Sequence, residues 1–447
     1  MPTTSGTESA LGGGAGSLLA SILSEDSFRP PEPRSLEETG VSPQIVESLI
    51  LKYLALIGSA NGRQIADVIC LPFVILESLY NAMRQRQLLV HSGSAQLNDY
   101  VYCLTEMGRA RAKQYMESCA YVGTMPVPLD DYIVSVEAQS VKAEIPREAQ
   151  LKKAFSDVLV EKEFLDTLGP AINSGAGMFL YGAPGNGKTL LARRMTLCFG
   201  SSIWIPKVIT DDGQFIKLFD AACHEPIDEG GSSILKASEH DRRWIRIKRP
   251  TVMTGGELTM DALELRHDPR SNVSEAPLQL KSNGGCLLID DFGRQRMEPR
   301  VLLNRWIVPL EARVDYLLLA TGKKIQVPFD QLIIFSTNLE PCTLADEAFL
   351  RRIPYKIEIG DPSRDEFHRL FKFEARKYGC EYKPDPVEYL LEKHYRPVGR
   401  PMRRCHPRDF LQQMRNHCTY HGYPVEMRND YFDRVVQSYF TVVKSAN

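Results

Sequence analysis

Eight consecutive residues constrain this chain more tightly than any others. Gly182, Ala183, Pro184, Gly185, Asn186, Gly187, Lys188 and Thr189 fit the pattern GxxxxGK[ST], with the apolar run MFLY directly before them and the helix-like TLLARRM directly after. A strand, a glycine-rich loop and a helix in that order form a cradle for phosphate. Glycines let backbone N–H groups converge on phosphate oxygens, and the helix N-terminus adds a favourable dipole. The stretch from Gly182 to Leu190 is therefore expected to bind ATP, with Lys188 at the terminal phosphates and the Thr189 hydroxyl at Mg2+.

A second stretch, GGCLLIDDFGRQ at residues 284–295, complements the first. Cys286, Leu287, Leu288 and Ile289 form an unbroken apolar run that suits a strand buried on both faces, yet it ends in two adjacent aspartates. Burying even one uncompensated carboxylate there would cost several kcal/mol, so a cation is expected at that strand end. Asp290 is expected to hold Mg2+ through water beside Thr189, and Asp291 to polarise the attacking water.

Around these motifs, helices alternate from about Arg147 with the strand candidates MFLYG, IWIPKVI, CLLID, LIIFS and YKIEI. That alternation predicts an α/β core with a parallel sheet over residues 147–360. From Ser363 only helices are expected: one from the capping box SRDE to Gly379, then Pro384 to Tyr395, Pro407 to His421 and Asn429 to Lys444, an all-α lid over 361–447. The interval between Lys188 and Asp290 is long. It predicts a β-hairpin insertion at about 203–250 that turns at Asp211-Asp212-Gly213 and contains the basic RRWIRIKRP. Two uses of it are open, a solvated edge hairpin or contact with a polymer through Trp204, Trp244, Arg242, Arg243, Arg246, Lys248 and Arg249.

Before the core, residues 1–39 are rich in Gly, Ser, Pro and Glu and predict a disordered leader. Ser42-Pro43 opens a helix with Val46, Leu49, Tyr53, Leu54 and Ile57 on one face, ended by Gly58. Helices from about Gln64 and over Pro72 to Arg86, then two β stretches around a polar turn, give 40–120 the element order of a small α+β winged-helix domain. The third helix begins Pro72, Phe73, Val74, Ile75, Leu76 where base-reading side chains would stand, which favours protein contact or internal packing over reading DNA. Residues 121–146 carry three prolines and predict an ordered or semi-rigid linker.

A formal charge of −2 over 447 residues gives no electrostatic case for nucleic acid or anionic membrane as a whole-chain partner. The ten cysteines are scattered without CxxC spacing, as expected of reduced core thiols. No segment reaches the length of a membrane span, the N-terminus lacks the positive region of a secretory signal, and a cytoplasmic protein is expected.

These motifs resemble those of the AAA+ ATPases. GAPGNGKT is similar to their Walker A motif and LLIDD to Walker B; LIIFSTN resembles the strand that delivers the sensor 1 asparagine, here Asn338. DEAFLRRI resembles the box carrying the arginine finger, here Arg351 or Arg352, and CHPRDFLQQM the lid helix with the sensor 2 arginine, here Arg408. More narrowly, GGELT, APLQLKSNGGCLLIDDFGRQ and NRWIVPLE with a preceding winged helix resemble a bacterial group described as predicted ATPases with chaperone activity. The resemblance implies a P-loop AAA+ core and a homo-oligomeric ring, with a hexamer among the ring sizes. It implies ATP hydrolysis with Mg2+ to remodel a protein client, with Asn338 orienting the water and Arg408 and a neighbour's Arg351 or Arg352 neutralising phosphate charge. Two other functions stay open: an ATPase acting on DNA or RNA through the winged helix or the basic RPVGRPMRRCHPRDF, and a weakly hydrolysing nucleotide switch. The second arises because the family places glutamate where this chain has the shorter Asp291.

Overall fold

The computed structural model describes residues 28–143, 145–227 and 240–440. The chain divides into two compact units. One takes the residues up to Ile145 with Phe199–Leu287 and Asn304–Leu332; the other takes Pro146–Cys198, Leu288–Leu303 and the chain from Ile333.

In the first unit, Ser42 is extended and Pro43 occupies the first helical position, so the helix Pro43–Ile57 starts without strain and stops where Gly58 adopts φ 86°. Val46, Leu49 and Leu54 are in the core, while Ile57, expected on the same face, is 47% exposed. After the short strand Ser59–Asn61, Asn61 and Gln64 form a capping box for the helix Gly62–Ile69. The helix Phe73–Gln85 and the antiparallel pair Leu89–Ala95 and Asp99–Leu104 follow, with Ser59–Asn61 on the other side of Asp99–Leu104. Ile75 and Leu76 pack into the core, while Val74 beside them is 75% exposed.

Residues 1–27 of the expected leader lie outside the described residues. The rest, 28–39, is tied down. Phe28 meets Trp244 edge-on at 5.8 Å, Asp241 N donates to Pro30 O, and Arg243 Nη1 donates to Thr39 O. Within 121–146, the helix Leu129–Ala138 buries Leu129, Tyr132 and Val136 against strand residues such as Ile209 and Ile216.

IWIPKVI does not join the parallel sheet that its apolar character predicts. Ser202–Pro206 pairs antiparallel with Trp244–Lys248, and Val208–Asp211 turns into Gln214–Lys217. The hairpin sits at the expected turn because Asp212 and Gly213 both take positive φ, 50° and 73°. Trp204 and Trp244 are buried; Arg243, also buried, pairs with Asp241, and Arg242 pairs with Asp67. Contact with a polymer through the two tryptophans and Arg243 is thereby ruled out, since hydrophobic burial and a buried ion pair already use them. A further hairpin, Val314–Leu318 with Lys324–Pro328, is anchored by buried Asp315, which accepts from Arg305 Nη1 at 2.6 Å.

Within the second unit, residues 288–289, residues 333–337, Met178–Tyr181 and Tyr355–Glu358 are neighbours in that order in one sheet. Met178–Tyr181 pairs in parallel with both neighbours, Met178 standing opposite Ile334 and Tyr355. Cys286, Leu287, Leu288 and Ile289 are fully buried, as are Leu332 to Thr337. The helical part follows: Arg364–Lys377 behind a Ser363–Glu366 capping box, Pro384–Leu390 widening into a looser turn at Leu391–Tyr395, His406–His421 and Asn429–Tyr439. The last helix ends short of the expected Lys444, and residues 441–447 lie outside the described residues. Phe367, Phe371, Phe410, Met414 and Phe432 form its core, each burial worth roughly 1.5–3 kcal/mol. No single helix among the described residues is long and apolar enough to cross a membrane.

Candidate functional site

Strand Met178–Tyr181 ends at Gly182, and the helix Lys188–Thr196 begins after Gly187. The connecting loop needs its glycines. Gly182 has φ 134°, and a Cβ there would lie 2.4 Å from Ile359 O; Gly185 has φ 86°, and its Cβ would lie 2.8 Å from Cys405 Sγ.

Lys188 is 7% exposed, and its Nζ donates to Gly182 O at 2.9 Å, Ala183 O at 3.1 Å and Asn338 Oδ1 at 2.6 Å. Burial pulls its pKa below the ordinary lysine value, Asp290 and Asp291 act in the opposite direction, and Arg403 adds to the lowering. Thr189 Oγ1 donates to Asp290 Oδ2 at 2.7 Å. Asn338 Nδ2 donates to Asp291 Oδ1 at 3.3 Å, so one amide bridges the lysine and the second aspartate. Asp291 takes φ 50°, a conformation that Asp and Asn tolerate better than longer or branched residues.

These groups line a cleft of about 750 Å³ within the second unit. The size suits a mononucleotide-sized ligand. Pro184 through Leu190, Asp290, Asp291, Asn338 and Arg408 are on its walls. Arg408 is held by Asp409, Nε to Oδ1 at 2.9 Å. Arg351 and Arg352, just after the short helix Glu347–Leu350, do not line the cleft, and Arg351 is exposed. The structure thus brings together the loop, both aspartates, Asn338 and Arg408, and leaves the two other arginines apart.

Two features in and beside the wall had not been read from the sequence. One is apolar: Val158, Leu159, Val160, Phe164, Leu370 and Phe373. The run Val158-Leu159-Val160, between the helices Glu148–Ala154 and Lys162–Asn173, was the available signal, an apolar triplet in a polar connection. The other is polar. Asn186, 1% exposed, donates through Nδ2 to Asp361 Oδ1 at 2.8 Å and accepts from Arg404 N at 3.2 Å, and Arg403 pairs with the same Asp361 oxygen.

A family model described as Domain of unknown function (DUF8689) matches residues 363–438, the helical part of the second unit. No curated protein sequence matches the chain. Among solved structures, NtrX from Brucella abortus in complex with ADP is similar with TM-score 0.40 and 15% identity, over 63% of this chain and 56% of that one. The Holliday junction branch migration motor RuvB of Thermotoga maritima is similar with TM-score 0.34 and 14% identity, over 66% of this chain and 70% of that one. The chain thus spans little more than half the length of the NtrX structure.

Proposed function

We propose that this protein binds ATP with Mg2+ in the cleft of its second unit and hydrolyses it as an AAA+ type ATPase. The observation that carries the proposal is the convergence of Lys188, Thr189, Asp290, Asp291 and Asn338, from three separate stretches of chain, on one cleft beside a glycine loop that tolerates no side chain at Gly182 or Gly185. The donor set fits a hard cation: a hydroxyl and a carboxylate oxygen 2.7 Å apart at the head of the helix. Mg2+ bound there supplies neutralisation of phosphate charge. Lys188 neutralises charge on the terminal phosphate, Asp291 accepts a proton from the attacking water, and Asn338 holds that water through the amide now shared between them. The apolar wall from Val158 to Val160 with Phe164 and Phe373 suits the face of a base.

Arg408 reaches the phosphates from the wall of the cleft, and Arg351 or Arg352, outside it, serves a neighbouring copy, so turnover depends on a homo-oligomeric ring. Residues 361–440 act as the lid and 40–120 as a winged-helix module for a protein client; the burial of Ile75 and Leu76 favours this over DNA recognition by the helix Phe73–Gln85. ATP binding and turnover measured against protein concentration test the proposal. Binding by the wild type, its loss in Lys188→Ala, and turnover that rises with assembly support it. Full turnover by a strictly monomeric preparation refutes the intersubunit arginine, and no nucleotide binding at all refutes the whole.

A further inference from the structure

The loop that would cradle phosphate and the turn that opens the helix His406–His421 are joined by backbone and side-chain bonds. Cys405 N donates to Gly185 O at 2.9 Å, and Arg404 N donates to Asn186 Oδ1 at 3.2 Å. Asn186 Nδ2 donates to Asp361 Oδ1 at 2.8 Å, and the same carboxylate oxygen takes Arg403 Nη1. Cys405 Sγ lies only 2.8 Å from the point a Cβ on Gly185 would occupy, so the two segments are closely packed as well. A buried amide satisfied on one side by Asp361 and on the other by the turn at Arg404 is a stiff connection, since breaking either bond strands a polar group away from water.

We propose that Asn186, Asp361 and Arg403 form a latch that transmits phosphate occupancy of the loop to the helix His406–His421. The inference rests on the nucleotide reading of the cleft. Asp361 and Arg403 are positioning residues in it. Neither Asp361 nor Arg403 need touch the nucleotide: a phosphate that draws Lys188 away from Asn338 and the Gly182 and Ala183 carbonyls shifts the loop, and Asn186 moves the Arg403–Cys405 turn with it. Helix His406–His421 follows because its first turn begins at that turn, and Arg408 travels on it. Asp361 decides the stiffness of the link, as its one oxygen serves both the loop and the turn.

Amide hydrogen exchange on the full chain, with and without ADP, tests this. In the wild type, ADP is expected to slow exchange at residues 406–414 as well as in the loop. In Asp361→Ala, ADP is expected to protect the loop but to lose most of its effect on 406–414, a drop of about fivefold or more in the nucleotide-dependent difference. Asp361→Asn, which keeps an acceptor for Asn186, is expected to recover part of it. A merely structural role for Asp361 would speed exchange equally with and without ADP, and an unchanged nucleotide-dependent difference in Asp361→Ala overturns the latch. Absence of any ADP effect on the wild-type loop overturns the nucleotide reading and the latch together, so the two failures are distinguishable.

Discussion

Lys188 Nζ donates to Asn338 Oδ1 at 2.6 Å, although 150 residues separate them in the chain. The bond parks a buried ammonium against a neutral amide and two loop carbonyls, partners that a phosphate group would outcompete because its charge assists the bond. Lys188→Ala is therefore expected to weaken ATP binding by about 10- to 100-fold, from the loss of a charged hydrogen bond worth roughly 1.5–3 kcal/mol, as measured by titration calorimetry. A melting temperature within a few degrees of wild type accompanies that result if the lysine serves the ligand more than the fold.

Asp291 sits at φ 50° beside Asn338. Asp291→Asn keeps the backbone preference and the side-chain volume, so ATP affinity is expected to stay within about threefold while turnover falls by about 10²–10⁴ with loss of the proton acceptor. Single-turnover kinetics would show it. Asp291→Glu is expected to destabilise the loop by about 1 kcal/mol, since a longer side chain is less tolerant of that backbone conformation.

At Gly182 the obstacle is steric. A Cβ 2.4 Å from Ile359 O in a residue at φ 134° forces the loop off the end of the strand, so Gly182→Ala is expected to lose about 1–3 kcal/mol of stability together with nucleotide binding. Denaturant titration paired with a binding assay separates this from Lys188→Ala, which affects binding alone.

His406 supplies a pH dependence. It is buried, stacked on Phe410 and hydrogen-bonded through Nδ1 to Tyr395 Oη at 2.7 Å. Burial pushes its pKa down to about 4, with Arg403 and Arg400 adding to the lowering and Asp409 and Asp361 opposing it. Because the unfolded chain takes up this proton near the ordinary histidine value of 6.5 and the folded chain only near 4, stability contributed here is present above about 6.5 and is lost as pH falls toward 4. The loss is of order 2–3 kcal/mol, and His406→Phe is expected to flatten the melting temperature between pH 7 and pH 4.5 at this contribution. An equally steep profile in the variant would contradict the assignment.

Asp315 and Arg305 give a stability test in the first unit. Asp315 is 1% exposed and takes two nitrogens of Arg305, Nη1 at 2.6 Å and Nη2 at 3.2 Å. Arg305→Met leaves that carboxylate uncompensated and is expected to cost about 3–5 kcal/mol, whereas replacing both partners by apolar residues is expected to recover most of it. Urea unfolding of the single and double variants reports the difference.

Local chemistry carried much of this protein in its sequence. GAPGNGKT between an apolar strand and a helix, the aspartates after CLLI, the capping box SRDE and the turn Asp211-Asp212-Gly213 are signals within a few residues of their targets, and backbone sterics or capping decide them. Pairing decided the rest. IWIP carries the same apolar pattern as the strands of the parallel sheet, and only the availability of Trp244–Lys248 as an antiparallel partner sets it elsewhere. Phe28 and residues 30–39 read as too polar and too rich in proline to order themselves, and do so because Trp244, Asp241 and Arg243 meet them from more than 200 residues away. The same holds at the cleft. Asp361, Arg403 and the apolar wall from Val158 have no motif, since what they do depends on which distant side chains come to meet them, and that is a property of packing rather than of any local run of residues.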